Sequence, residues 1–337
     1  MIASAEHRFT KRPESSYFDA VAQVLEEAAV LTGRGSEAPS RLSEWAVAHR
    51  ELAPPAEWRS YSRLTADGAP VELVERLGPE PASLGFTLDP GPYRSTPAHR
   101  LQTALDLLAP QWPRAPRFAA DLFPAGVPLG RFTLCLGWQS DTASVYGELG
   151  GPGAAGALER AERCLARWGL SPDAGARAVL KALLRHAYPK MLAVDLRWGR
   201  PVSAKLYLRL VEPIPAGPFQ HYLQRMLGLR HTCSDPNAGV ALAIGPGGVL
   251  SGQSFYHYVR PWFRDDEALR AAVLRLAEHE GWNGESYRAL SRLVGGRTGS
   301  QLRGLIGYGL GADGVSQLKL YCRTGHLLEG AEQRRAA

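Results

Sequence analysis

The chain has 337 residues, 45% of them hydrophobic, with 36 Gly and 25 Pro; this suits a turn-rich globular protein and excludes disordered and collagen-like classes. Its formal net charge of +6 is spread along the sequence without a run of Lys and Arg. That balance admits an anionic ligand but argues against nucleic acid as a partner.

In chain order, turn signals alternate with helical patterns. "TADGAP" (65–70) is the first Gly-bearing turn and reads as a hairpin. "TPAHRLQTALDLLA" opens a helix with Thr96 as cap and Pro97 at its first position. "QSDT" (139–142) is the second hairpin turn, and "SPDAGARAVLKALLRHA" starts a helix with Ser171 as cap and Pro172 following. "WGRP" (198–201) and "GPGG" (245–248) mark the third and fourth hairpins. "DDEALRAAVLRLAEHEG" puts Leu269, Ala272, Val273 and Leu276 on one helical face and stops at Gly281, and "GADG" (311–314) is the fifth turn. Helices and hairpins therefore alternate five times, and such a repeat defines an architecture.

The strands after the five turns align as "ELVER" (72–76), "SVYGE" (144–148), "KLYLR" (205–209), "YHYVR" (256–260) and "KLYCR" (319–323). Their middle residues are Val74, Tyr146, Tyr207, Tyr258 and Tyr321, and Tyr256 opens the fourth. Alternation puts positions one, three and five on one polar-aromatic face, with Leu73, Val145, Leu206, Leu208, Leu320 and their equivalents on the other. Amphipathic helices cover the apolar face. If about ten antiparallel strands close into a barrel, the Lys-Tyr-Arg face lines the lumen, and ten strands leave a ligand-sized space there. The alternative is an open sheet with that face in water.

Lysines at several points of one cavity suit a compact polyanion such as a diphosphate. Phenol faces stabilise a cation by about 0.5–2 kcal/mol each. A cavity with both features can release diphosphate from an allylic group and shield the carbocation from water. Glu72, read as a carboxylate where two other hairpins carry lysine, can accept a hydrogen bond from an acceptor N–H and remove a proton.

At these residues the sequence resembles the aromatic prenyltransferases of the ABBA barrel, in particular their dimethylallyltryptophan synthase branch. "SRLTADGAPVEL" (62–73) is similar to the branch's segment with the acceptor-binding glutamate, which puts that role on Glu72. "LGFTLDP" (84–90) looks like the segment that follows, and "VDLRWGRPVSAKLYLRLVEP" (194–213) resembles the aspartate-then-K-x-Y strand, placing diphosphate contacts on Lys205 and Tyr207. With the aligned strands, Lys319, Tyr321, Tyr256, Tyr258 and Tyr146 join the expected donor site. The resemblance implies an α+β fold, a ten-stranded antiparallel barrel of five αββα repeats ringed by helices. It implies prenyl transfer, dimethylallyl or longer, from an allylic diphosphate to an indole or tryptophan-type acceptor, with no metal required. A phenol or a peptide side chain as acceptor, or a barrel that binds such a ligand without turnover, are the alternatives.

The chain departs from that family at three cations. Gly85 stands where the family usually has arginine, Ser144 where it has lysine, and Ser203 where it often has arginine. Lys319 with Arg209, Arg260 or Arg323 could compensate, as could magnesium. Other signals carry less. "GPGAAG" (151–156) matches G-x-G-x-x-G but leads to helices without a following parallel strand, so no dinucleotide unit is expected. Asp265 reads as a helix cap, and His257 falls on the apolar face as a packed residue. Cys135, Cys164, Cys233 and Cys322 lie far apart without a C-x-x-C pair, which argues for thiols in a reducing compartment. No signal peptide or membrane-length apolar run is present, so a cytoplasmic protein without a membrane partner is expected. One barrel domain over 1–337, with a loose tail near 327–337, completes the expectation.

Overall fold

The computed structural model describes residues 17–33, 39–40, 42, 62, 64–65, 67–89, 96–110, 112–124, 134–139, 142–151, 153–197, 200–211, 239–260, 262–295, 302–311 and 314–327. Ten strands form one sheet: β1 (Val71–Leu77), β2 (Ser83–Leu88), β3 (Leu134–Gln139), β4 (Thr142–Glu148), β5 (Ala187–Arg197), β6 (Arg200–Leu210), β7 (Gly239–Ile244), β8 (Leu250–Tyr258), β9 (Arg303–Gly311) and β10 (Gly314–Arg323). Each pairs antiparallel with the next, and β10 returns to pair with β1, so the sheet closes into a barrel. Around it lie α1 (Tyr17–Thr32), α2 (Pro97–Leu108), α3 (Ala115–Leu122), α4 (Ala157–Arg167), α5 (Ala174–Leu183), α6 (Asp266–His279) and α7 (Gly284–Val294).

Strand alternation decides the two faces. On β6, Ala204, Leu206, Leu208 and Leu210 are buried beneath helices, while Ser203, Lys205, Tyr207 and Arg209 turn inward. Each leucine removed from water in this way contributes about 1.5–3 kcal/mol. His257 takes the outer face, fully packed, with its ring stacked on Tyr308 at 5.7 Å. Cys135, Cys164 and Cys322 are buried free thiols. Among the described residues no helix is long and apolar enough to cross a membrane.

One charged cluster ties the barrel to its helices. Arg303, at the start of β9, donates to both oxygens of Glu75 on β1 (2.8 and 2.6 Å) and to Asp266 on α6 (2.9 Å). It also reaches Ser291 Oγ on α7 at 3.0 Å. Asp266 in turn accepts the backbone N–H groups of Leu302 (3.1 Å) and Arg303 (3.2 Å). Each carboxylate oxygen of Glu75 and Asp266 accepts at least one hydrogen bond here, which is what makes buried charge tolerable.

Four hairpins stand where the turn signals put them; the centres of those turns at 140–141, 198–199 and 312–313 lie outside the described residues, as does the tail at 328–337. The first differs. Residues 65–70 do not connect two barrel strands: both edges of β1 are already taken, by β2 through the turn at 78–82 and by β10. The turn closes on itself instead, with Gly68 at φ 83° and its carbonyl accepting from Ser62 N at 2.9 Å. β1 is therefore a first strand, and it runs opposite to β4, β6, β8 and β10. Thr96 and Asp265 cap their helices as expected, but α5 is capped by Asp173, which accepts from Ala176 N at 2.7 Å, and not by Ser171.

Candidate active site

The reversed direction of β1 sorts the lumen. Across β1 and β10, Arg76 pairs with Lys319, Val74 with Tyr321 and Glu72 with Arg323. Glu72 thus lies at the far end of the strand from the lysine level, which corrects the alignment that set it among the lysines. The lumen is divided into two cavities by a row of tyrosines.

The row is Tyr146, Tyr207, Tyr256 and Tyr321. Ring centroids are 6.2 Å apart for Tyr146–Tyr207, 5.6 Å for Tyr207–Tyr256 and 6.2 Å for Tyr256–Tyr321, all tilted. These separations lie in the range of favourable aromatic contact. The fourth hairpin supplies Tyr256 to the row, one inward step from the expected Tyr258, which sits 43% exposed at the rim. Two glycines let rings lie against the wall. A Cβ on Gly137 would stand 2.9 Å from the Tyr146 ring, and one on Gly307 would stand 2.7 Å from the Tyr256 ring. Burial pushes the Tyr146 phenol up to about 12 and raises those of Tyr207 and Tyr321 well above the ordinary phenol value, so these phenols remain neutral.

On the hairpin-turn side is a polar cavity of about 450 Å³ holding Lys205, Lys319, Arg76, Arg197 and Asp195. Lys205 Nζ donates to Asp195 at 2.9 Å, and Ser144 (2.6 Å) and Ser203 (2.8 Å) donate to the same carboxylate. Burial opposes the charge on Asp195, but Lys205 and these hydrogen bonds outweigh it and hold its carboxyl below the ordinary value. Lys205 is likewise opposed by burial, yet Asp195 lifts it to about 12. Lys319 goes the other way: burial first, then the charges of Lys205 and Arg76, bring it down to about 7. The positions expected to carry cations thus hold serines that orient an acid, and Gly85 faces Val74 across β1 and β2. Arg76 and Arg197 bring positive charge to the same cavity from the turn side.

On the other side of the row is a cavity of about 380 Å³ lined by Glu72 with Leu64, Cys135, Met191 and Leu305. Burial, and then the charge of Asp67, raises the Glu72 carboxyl to about 8. Arg209 and Tyr258 line this cavity too, and Lys190 pairs there with Glu148. Arg260 lies past the end of β8 and is exposed. Among the described residues no group of three His, Cys, Asp or Glu stands together to hold a metal.

The lumen therefore brings together Glu72, Lys205, Lys319, Tyr146, Tyr207, Tyr256 and Tyr321, with Tyr258 at its edge. Sequence reasoning missed Arg76, Arg197 and the Lys190–Glu148 pair. Arg76 was within reach, as the fifth residue of "ELVER", once the direction of that strand was known.

No family model and no curated protein matches the chain in sequence. Solved structures do match its fold. The 6-dimethylallyltryptophan synthase of Micromonospora olivasterospora, in complex with DMASPP and Trp, has a TM-score of 0.72 at 20% identity, over 92% of this chain and 98% of that one. The 5-dimethylallyltryptophan synthase of Streptomyces coelicolor gives 0.74 at 18% identity, over 92% and 98%. AnaPT of Neosartorya fischeri gives 0.68 at 16%, over 91% of each chain. The fold is thus the ABBA prenyltransferase barrel that these proteins share.

Proposed function

We propose that the protein is an aromatic prenyltransferase that transfers a prenyl group, dimethylallyl or longer, from an allylic diphosphate to an indole or tryptophan-type acceptor. One observation carries this reading: a cationic cavity and an apolar cavity with a half-buried carboxylate meet at a row of tyrosines. The diphosphate lies against Lys205 and Lys319, with Arg76 and Arg197 adding charge from the turn side. The allylic C–O bond breaks with its electron pair on oxygen. The tyrosine faces stabilise the cation, by about 0.5–2 kcal/mol each, in a lumen that keeps water away. An aromatic ring in the apolar cavity attacks, with its N–H held by Glu72, and the carboxylate form of Glu72 takes the proton. The DMASPP and Trp held by the Micromonospora enzyme support the same donor and acceptor classes here. The unit we assign is a single barrel domain acting on small molecules.

A second reading, a barrel that binds such ligands without turnover, is favoured by Asp195, which occupies the charge of Lys205. A mass-spectrometric screen separates the two. Dimethylallyl, geranyl and farnesyl diphosphate are each offered with tryptophan, indoles, tyrosine and aromatic peptides, with and without magnesium. A product heavier by one prenyl unit establishes the transferase and names donor and acceptor. Folded protein that yields no product with any pair removes the enzyme reading.

A further inference from the structure

The two lysines of the polar cavity are not equivalent. Lys205 is locked to Asp195, which also receives Ser144 and Ser203. Lys319 makes no ion pair among the described residues. Its strand neighbours offer it no acid: Arg76 faces it on β1 and Gly307 on β9. Across the cavity stand Lys205 on β6, Asp195 and Arg197 on β5, and Tyr146 on β4. Tyr321, on its own strand, is a phenol that burial keeps neutral, and the Tyr256 ring of β8 lies against it. Glu80, on the turn between β1 and β2, is the remaining carboxylate of the lining. The charges felt most at Lys319 are those of Lys205 and Arg76, with Asp195 offsetting them only in part.

We propose that Lys319 is the proton carrier of the diphosphate cavity, an amine when the cavity is empty, an ammonium when a diphosphate fills it, and the acid that protonates the departing oxygen. The inference rests on the polar cavity being the diphosphate site. An incoming polyanion reverses the balance at Lys319, because it adds negative charge where two cations dominated, and the amine takes a proton from solvent. When the C–O bond breaks, the electron pair stays on the oxygen and the ammonium proton moves to it. Diphosphate leaves carrying that proton and Lys319 is an amine again. The proton lost by the aromatic acceptor leaves separately, through Glu72. Two lysines whose surroundings drive them in opposite directions divide the work: Lys205 is a fixed charge and Lys319 a transferable one.

The test is calorimetric titration of the full chain with inorganic diphosphate at about pH 8, where a lysine of the kind found here is largely neutral. Repeating it in buffers of different ionisation enthalpy yields the protons exchanged. The wild type should take up about one proton more than Lys319→Arg, whose guanidinium is charged throughout. Equal exchange by the two proteins overturns the inference and leaves the diphosphate site standing. Absence of diphosphate binding by the wild type overturns the site and the inference together. Because no turnover is needed, failure of the acceptor assignment leaves this measurement unaffected.

Discussion

Glu72 and Lys319 stand on paired strands yet open into different cavities, because it is Arg76, four residues on from Glu72, that pairs with Lys319. Four residues of strand separate the two levels by roughly 13 Å. The tyrosine row lies between them. A carboxylate beside the lysines would be ionised and paired; at this distance, in an apolar cavity, it keeps its proton to about 8.

Glu72→Gln should lower turnover with indole acceptors by roughly 10²–10⁴-fold, the usual worth of a positioned base. The active form is the carboxylate, so the wild-type rate should climb with pH through about 8 and the variant should lose that limb. Rate–pH profiles of both proteins check this; an unchanged rate in the variant removes Glu72 from the mechanism.

The same carboxyl affects stability. Its folded value of about 8 lies above its ordinary 4.5, so the folded state binds the proton more tightly, and the stability gained is present below 4.5 and lost as pH rises to about 8. Urea unfolding across that window should show a steeper decline for the wild type than for Glu72→Gln. Parallel curves would contradict the assigned environment.

Lys205→Ala should weaken inorganic diphosphate binding while circular dichroism remains that of the wild type. Asp195→Asn should act oppositely, tightening it by roughly tenfold, since it removes the carboxylate that faces an incoming anion. Calorimetric titration measures both, and weaker binding by Asp195→Asn would mean that the acid serves to position Lys205.

Gly307→Ala forces a methyl group against the Tyr256 ring and should cost about 1–3 kcal/mol, as overpacking does. Adding Tyr256→Ala should relieve that particular clash, so the paired substitutions will not be additive. Urea denaturation of the four proteins of the cycle decides it; strict additivity would show that ring and glycine do not interact.

Arg303→Met leaves Glu75 and Asp266 buried without their cation and should cost about 3–5 kcal/mol. Turnover per folded molecule should persist, since the cluster lies outside the lumen. Equilibrium unfolding alongside activity of the folded fraction separates the two effects.

Much of this was legible in the sequence because alternation is a local property. "KLYLR" declares its two faces whatever surrounds it, and four tyrosines at one register marked the lumen. The direction of β1 was not legible: "ELVER" alternates identically read from either end, and only its pairing with both β2 and β10 fixes its sense. Tyr256 and Tyr258 share a face, so periodicity alone left open which joins the row, and barrel stagger decided it. Glu75 stands on the helix-facing side of its strand, between Leu73 and Leu77, and nothing in the sequence reading explains an acid there. Its partner Arg303 lies 228 residues away, a distance no local pattern spans.

The pairing of β1 with β10 also means that this barrel has no first strand in space. Tyr17 hydrogen-bonds Thr324, Thr324 hydrogen-bonds the carbonyl of Val71, and Asp67 accepts from Gly325 N at 2.9 Å, so the beginning and the end of the described chain are sewn along one seam. During synthesis neither cavity exists until β10 arrives, and a nascent chain holds nine strands with two open edges until then. Once closed, the ring is indifferent to where the chain was cut: a circular permutant opened at another inter-repeat connection, with its old ends joined across the seam, would enclose the same lumen.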